Sequence, residues 1–143
     1  MNTYSRRMIA ITSLVAMAIG TAAVLNAQSL GVRVNVPFAF TAGTASLPSG
    51  AYHVSTLPGH TDAFMIRGLQ HGVILLSQPA GSSRKDNTAS LVFHRYADQY
   101  FLQEIRLPGN AGFELPMTAD ENAVARRLAS DAKPEVVVVQ MSQ

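Results

Sequence analysis

The 143-residue sequence contains no cysteine. This rules out disulfide staples, the thiolate ligands of most structural zinc sites, and a lipid anchor carried on an N-terminal cysteine. Charge is also sparse, at 14% Asp, Glu, Lys and Arg. After Arg6-Arg7 near the N-terminus, basic residues occur singly apart from Arg84-Lys85 and Arg126-Arg127. Nucleic-acid binding draws on several cations gathered on one face, so no nucleic-acid partner is expected. Catalytic signatures are missing too. There is no Gly-x-Ser-x-Gly elbow, since Gly81-Ser82-Ser83 lies in a polar stretch without that frame, and no phosphate-binding Gly-rich loop followed by Lys and Ser or Thr.

The remaining polar candidates do not assemble into a site on paper. His53, His60, His71 and His94 show no metal-ligand spacing, and they read as ordinary surface or hairpin histidines. Asp62, Asp98, Glu104 and Glu114 are scattered, as solvated acids on a β-domain usually are. No metal, cofactor or catalytic residue is assigned, and an enzyme is not expected. Leu115-Pro116-Met117-Thr118-Ala119 imitates a sortase signal, but the only apolar run after it, residues 136–139, is far too short to cross a membrane.

What is present begins with a leader. Arg6 and Arg7 precede an uncharged stretch, residues 8–25, whose body includes Ile9, Ile11, Leu14, Val15, Met17 and Ile19. Small residues follow at Ala23 and Ala27. This is the layout of a secretory signal peptide, with cleavage expected near Ala27 and Ala23 as the alternative. The organisation is then residues 1–27 as signal peptide and 28–143 as a single β-rich domain, periplasmic or extracellular, not membrane-spanning in its mature form. The formal charge of +2 belongs to Arg6 and Arg7, so the mature chain balances at nine cations against nine anions.

The mature chain reads mostly as strand. Residues 32–40 alternate, with Val32, Val34, Val36, Phe38 and Phe40 on one face, and Pro37 marks an edge or bulge. Leu47-Pro48-Ser49-Gly50 is a turn, since Pro at its second position and Gly at its fourth suit a type I geometry. Strands are expected over residues 51–57, 63–67 and 73–78. Residues 79–88 have loop chemistry, and Pro108-Gly109-Asn110 forms a bend. One helix follows, opened by the capping box Thr118-Ala119-Asp120-Glu121, striped with Ala123, Val124 and Leu128, and stopped by Pro134. Residues 135–140 form a last strand whose valines call for cover on both faces. An unpaired apolar edge invites aggregation, so the first and last strands are expected in one sheet, as neighbours or close to it.

Residues 91–105, LVFHRYADQYFLQEI, carry the densest aromatic cluster. A tight turn over Ala97-Asp98 sets Arg95 opposite Tyr100, His94 opposite Phe101 and Phe93 opposite Leu102. Phe93, Arg95, Tyr100 and Leu102 then share one face, and Val92, His94, Tyr96 and Phe101 the other. Large side chains on both faces make this a central hairpin, covered by core on one side and by helix or loop on the other. The sharper reading leaves Arg95, Tyr96 and Tyr100 as a recognition patch.

Three motifs in order, Val36-Pro37-Phe38-Ala39-Phe40, Leu47-Pro48-Ser49-Gly50-Ala51-Tyr52 and residues 92–102, VFHRYADQYFL, resemble a group of short secreted proteins of unknown function from soil bacteria. The resembled proteins often have Gly where this chain has Ala97. The resemblance implies a secreted compartment and a β-rich fold, and no active residues. Together these readings predict an all-β domain, an antiparallel sandwich or small barrel of about seven strands, with one helix near the C-terminus. The expected role is a non-enzymatic binding or envelope/assembly module with a protein partner. The alternative is a small barrel carrying an apolar ligand.

Overall fold

The computed structural model describes residues 31–80, 88–108, 112–128 and 133–142. The expected leader, most of the 79–88 loop, and Gly109 and Asn110 of the bend lie outside the described residues. The elements are β1 (Val32–Val36), β2 (Phe40–Ala42), β3 (Ala45–Leu47), β4 (Gly50–Thr56), β5 (Ala63–Arg67), β6 (Gly72–Leu76), β7 (Gln78–Pro79), β8 (Ser90–Tyr96), β9 (Gln99–Arg106), β10 (Phe113–Glu114), α1 (Ala119–Leu128) and β11 (Glu135–Ser142).

The strands join in the order β3-β2-β9-β8-β11-β1-β4-β5-β6, and β10 pairs with both β9 and β7. Only Ser77 separates β6 from β7, so the chain itself leads from the β6 end of the sheet back through β10 to β9. The result is a nearly closed barrel with one short helix, as the composition and patterning predict. Among the described residues pairing is antiparallel except for one parallel bridge, Thr41 to Phe101, between β2 and β9. Among the described residues the strand count rises from about seven to eleven because short pieces form where Pro, Gly or Ser interrupts longer runs.

The stretch 32–40 shows why. It is not one strand: β1 ends at Val36, Pro37 and Phe38 bend, and β2 takes a different partner. Proline offers no N–H to a ladder, so pairing stops there. The inward alternation nevertheless persists, with Val32, Val34, Val36 and Phe40 buried and Phe38 half-buried. First and last strands are neighbours, with Arg33 opposite Ser142 and Val34 opposite Met141.

The barrel interior is filled with side chains. Phe40, Val54, Phe64, Ile66, Leu91, Phe93 and Ile105 are essentially inaccessible. Phe93 meets Phe38 and Phe40 edge-on, with ring centroids 5.2 and 5.3 Å apart, and Phe40 meets Tyr52 at 5.4 Å. Such edge-to-face pairs set the positive ring edge against the negative ring face. Tyr52 donates its hydroxyl to the Pro48 carbonyl at 2.5 Å, tying β4 back to the turn that precedes it. Burial pushes its phenol above the ordinary value of 10.

Candidate functional site on the outer face

The β8–β9 hairpin positions the site. Its register is Arg95 to Tyr100, His94 to Phe101 and Phe93 to Leu102, as the tight turn predicts, with Tyr96 and Gln99 closing the loop. The turn demands an unusual backbone at Ala97, which takes φ +52°. Toward the other end the register slips by one residue. Val92 faces Glu104 while Phe93 faces Leu102, leaving Gln103 as an extra residue in β9. The bulge lets Leu102 and Ile105 both point into the barrel, and turns Gln103 and Glu104 together to the outside. Re-aiming side chains in this way is a common use of a bulge. The Gln103 carbonyl is not orphaned, since the Leu115 N–H donates to it at 2.7 Å.

Helix α1 lies on that outer face and inserts a carboxylate. Glu121 is its one buried residue, with its side chain 2% exposed. Tyr96 Oη donates to Glu121 Oε1 at 3.3 Å, Gln103 Nε2 donates to Oε2 at 2.5 Å, and His94 Nδ1 lies 3.3 Å from Oε1. A buried carboxylate costs several kcal/mol unless donors replace its water, and here three side chains do so. The position in the first helical turn adds the favourable end of the helix dipole. Burial first, then the charge and hydrogen bond of Glu121, push the Tyr96 phenol above its ordinary 10.

Two sequence expectations for this helix are corrected. The capping box forms by half: the Glu121 N–H donates to Thr118 Oγ1 at 3.2 Å, but the Glu121 carboxylate goes to the sheet rather than back to the cap. Nor does the stripe of Ala123, Val124 and Leu128 seat the helix. Ala123 and Leu128 are exposed and Val124 is half-buried, so docking rests on a polar cluster.

Beside the cluster runs an open groove of about 490 Å³, lined by Val92, His94, Gln103, Glu104, Arg106, Glu114, Leu115, Met117 and Val136. Glu104 accepts from Arg106 Nη2 at 2.8 Å, both largely covered. Gly112 allows this, because a Cβ there would lie 2.0 Å from Glu104 Oε1. One wall is apolar and bare. Val136 in that wall pairs with His94, and Val138, next to it on the same face of β11, pairs with Val92, yet the two residues are 58% and 44% exposed. Cover on both faces of β11 was the expectation, and only the inner face, with Val137, Val139 and Met141, has it.

The groove therefore offers His94 held at Nδ1 by a buried carboxylate, a neutralised Glu104–Arg106 pair and an apolar wall. Its lining has no hydroxyl or thiol to act as nucleophile. Among the described residues no group of three His, Asp or Glu side chains could hold a metal ion, and no helix is long and apolar enough to cross a membrane.

The Arg95, Tyr96 and Tyr100 set is divided between faces. Tyr96 belongs to the outer cluster and is buried. Arg95 and Tyr100 share the barrel rim, where Arg95 Cζ lies 5.6 Å from the Tyr100 ring centroid. Tyr100 also stacks on Phe38, with centroids 3.8 Å apart. Arg95 donates to the Ala97 carbonyl at 2.8 Å and to Glu135 at 3.1 Å. Sequence reasoning missed Glu121, Gln103 and the exposed valines. A legible signal existed for Gln103, since apolar residues three apart at Leu102 and Ile105 break the strand period of two.

Comparison of the chain with protein-family models, with curated proteins and with solved structures returns no match.

Proposed function

We propose that the protein is a secreted or periplasmic binding module, without catalytic activity of its own, that receives an apolar segment of a protein partner in the outer groove along β11. The observation that carries this reading is a contrast between two surfaces. The barrel axis is closed by aromatic rings in mutual contact, which opposes an internal ligand, whereas two valines of a central strand stand exposed beside a groove. Exposed apolar surface next to well-placed polar groups is the ordinary composition of a protein-binding site. The leader pattern and the three-motif resemblance support the compartment.

The test is a photo-cross-linking residue placed at Val136 in the full chain as the cells secrete it. An adduct of one defined mass, different from that of the chain itself and lost on Val138→Glu, is expected, with none from the same residue placed at Arg33. Native mass spectrometry of the wild-type protein distinguishes the alternative. Stoichiometric retention of a lipid-sized molecule would replace the binding module with an apolar-ligand carrier.

A further inference from the structure

We propose that the protein self-associates through the β6 edge, two copies pairing residues 72–76 antiparallel about a two-fold axis at Ile74, so that one sheet runs across both barrels. β6 has one partner strand among the described residues, β5, with Met65 opposite Ile74 and Ile66 opposite Val73. The bonds flanking this ladder, from Ser77 N–H to the Asp62 carbonyl and from Gly68 N–H to the His71 carbonyl, set its phase. Hydrogen-bonded and non-bonded pairs alternate in an antiparallel ladder. Val73 and Leu75 therefore bond inward to β5, while the backbone groups of Gly72, Ile74 and Leu76 face the other edge.

Between Gly72 and Leu76 that edge lacks the usual protection, and β10 takes it up from Gln78 onward. Natural edges carry a charge, a proline or a bulge, or are very short. Residues 72–76, GVILL, have no charge and no proline. Ile74 and Leu76 are 56% and 68% exposed on the outer surface. The opposite end of the strand order, β3, is blunted by its length of three residues.

A second copy fits this edge by its own sequence. A dyad at Ile74 sets Ile74 against its counterpart and Leu76 against Gly72, where the partner has no side chain to collide with it. Pairing adds about six backbone hydrogen bonds, two for each bonded residue pair. Met65 on β5 extends the contact into an apolar row of Met65, Ile74 and their two counterparts. Charge is complementary along the same axis. Arg67 and His71 lie at the turn end of the β5–β6 hairpin and Asp62 at its open end, so the two-fold brings the basic end of one copy beside the acidic end of the other. A neutral central strand is also what self-pairing requires, since any charge near the dyad would meet its like.

Sedimentation equilibrium of the mature full-length protein should give a dimer, and Ile74→Lys, which sets two ammonium groups face to face, should halve the mass while leaving the melting curve of the fold in place. The chain has no native cysteine, so Ile74→Cys is a direct second readout. Bonded pairs sit about 5.5 Å apart at Cα, within disulfide reach. Mild oxidation should link Ile74→Cys into a covalent dimer and leave Leu69→Cys, on the exposed turn of the same hairpin, without a covalent link. A wild-type protein that sediments as a monomer at every concentration, or a dimer that survives Ile74→Lys and fails to link at position 74, overturns the proposal. Neither outcome bears on the groove beside β11, whose adduct at Val136 is read independently.

Discussion

Glu121 and Gln103 meet at 2.5 Å, the one from the first turn of the helix, the other from the extra residue of a β-bulge. Each is unusual for its element: a helix seated by a carboxylate, and a strand residue turned out of its alternation. The pairing explains both, because the bulge supplies the donor that makes burial of the charge tolerable. It follows that Glu121→Ala, which strands Tyr96, Gln103 and His94 together, should cost about 3 kcal/mol in denaturant melts. Glu121→Gln should cost less, about 1–2 kcal/mol, since it keeps the shape and loses the charge. Glu114→Ala, on the exposed side of the groove, should stay within about 0.5 kcal/mol.

The tyrosines set a limit at high pH. Tyr96 is pushed up by burial and then by Glu121, and Tyr52 by burial. An acid whose pKa is higher in the folded state holds its proton more tightly there. Its contribution is complete below the unfolded value of 10 and declines as pH rises through the folded value. Stability should therefore be flat with respect to these groups at neutral pH and fall above pH 10. Ultraviolet titration of phenolate absorbance should show Tyr52 and Tyr96 ionising late. In Tyr96→Phe, part of the alkaline decline should vanish, while stability at neutral pH drops by about 1 kcal/mol for the lost hydrogen bond. An unchanged alkaline limb would contradict this account.

Ala97 holds φ +52° in a two-residue turn. A side chain in that region costs roughly 1–2 kcal/mol, and glycine relieves it at some cost in unfolded-chain entropy. Ala97→Gly should raise stability by about 0.5–1 kcal/mol on balance, visible as a shifted midpoint with an unchanged denaturant slope. Ala97→Val should do the reverse by a larger amount.

Phe93 and Tyr100 test the rim. Phe93 is fully buried between Phe38 and Phe40, and Phe93→Ala should cost about 3–5 kcal/mol. Tyr100 is half-buried, stacked on Phe38 beneath Arg95. Tyr100→Ala should fall between a core and a surface change, near 2 kcal/mol. If Tyr100→Ala melts like wild type, the stack contributes nothing to the fold, and Arg95 and Tyr100 become candidates for a partner's contact.

How much of this could be read in advance depended on how local the cause was. The hairpin register was legible because a two-residue turn leaves the flanking pairs no freedom. The pairing of first and last strands was legible because two apolar strands each need a neighbour. The split at Pro37 was not, because the inward alternation of Val36, Phe38 and Phe40 continues while the backbone partner changes. Glu121 was misassigned for a related reason. A glutamate at the third helical position serves a cap or a tertiary partner equally well, and the choice is made by Tyr96, His94 and Gln103, all distant in sequence. The valines of β11 misled in the other direction, since a β-branched run records strand propensity on both faces but burial on only one.

The last strand carries the sharpest structural test. β11 lies between β8 and β1, matched to β8 over six residues from Glu135 to Gln140 and to β1 through Met141 and Ser142. A chain ending at Pro134 loses a central strand, not an edge. It opens a seam between Val32, Val34 and Val36 on one side and Leu91 and Phe93 on the other, all of them core residues. Loop closure elsewhere cannot compensate, because β8 and β1 would each expose an unpaired apolar edge. The truncated protein should therefore be insoluble or lack strand signal in circular dichroism. In the intact chain, the amides of Val137 and Val139, which point to β8, should be among the slowest to exchange despite the exposed face of Val138 between them, since that ladder opens only when the barrel does. Rapid exchange there, or a soluble truncated chain with a cooperative melt, would mean that the barrel closes without its last strand.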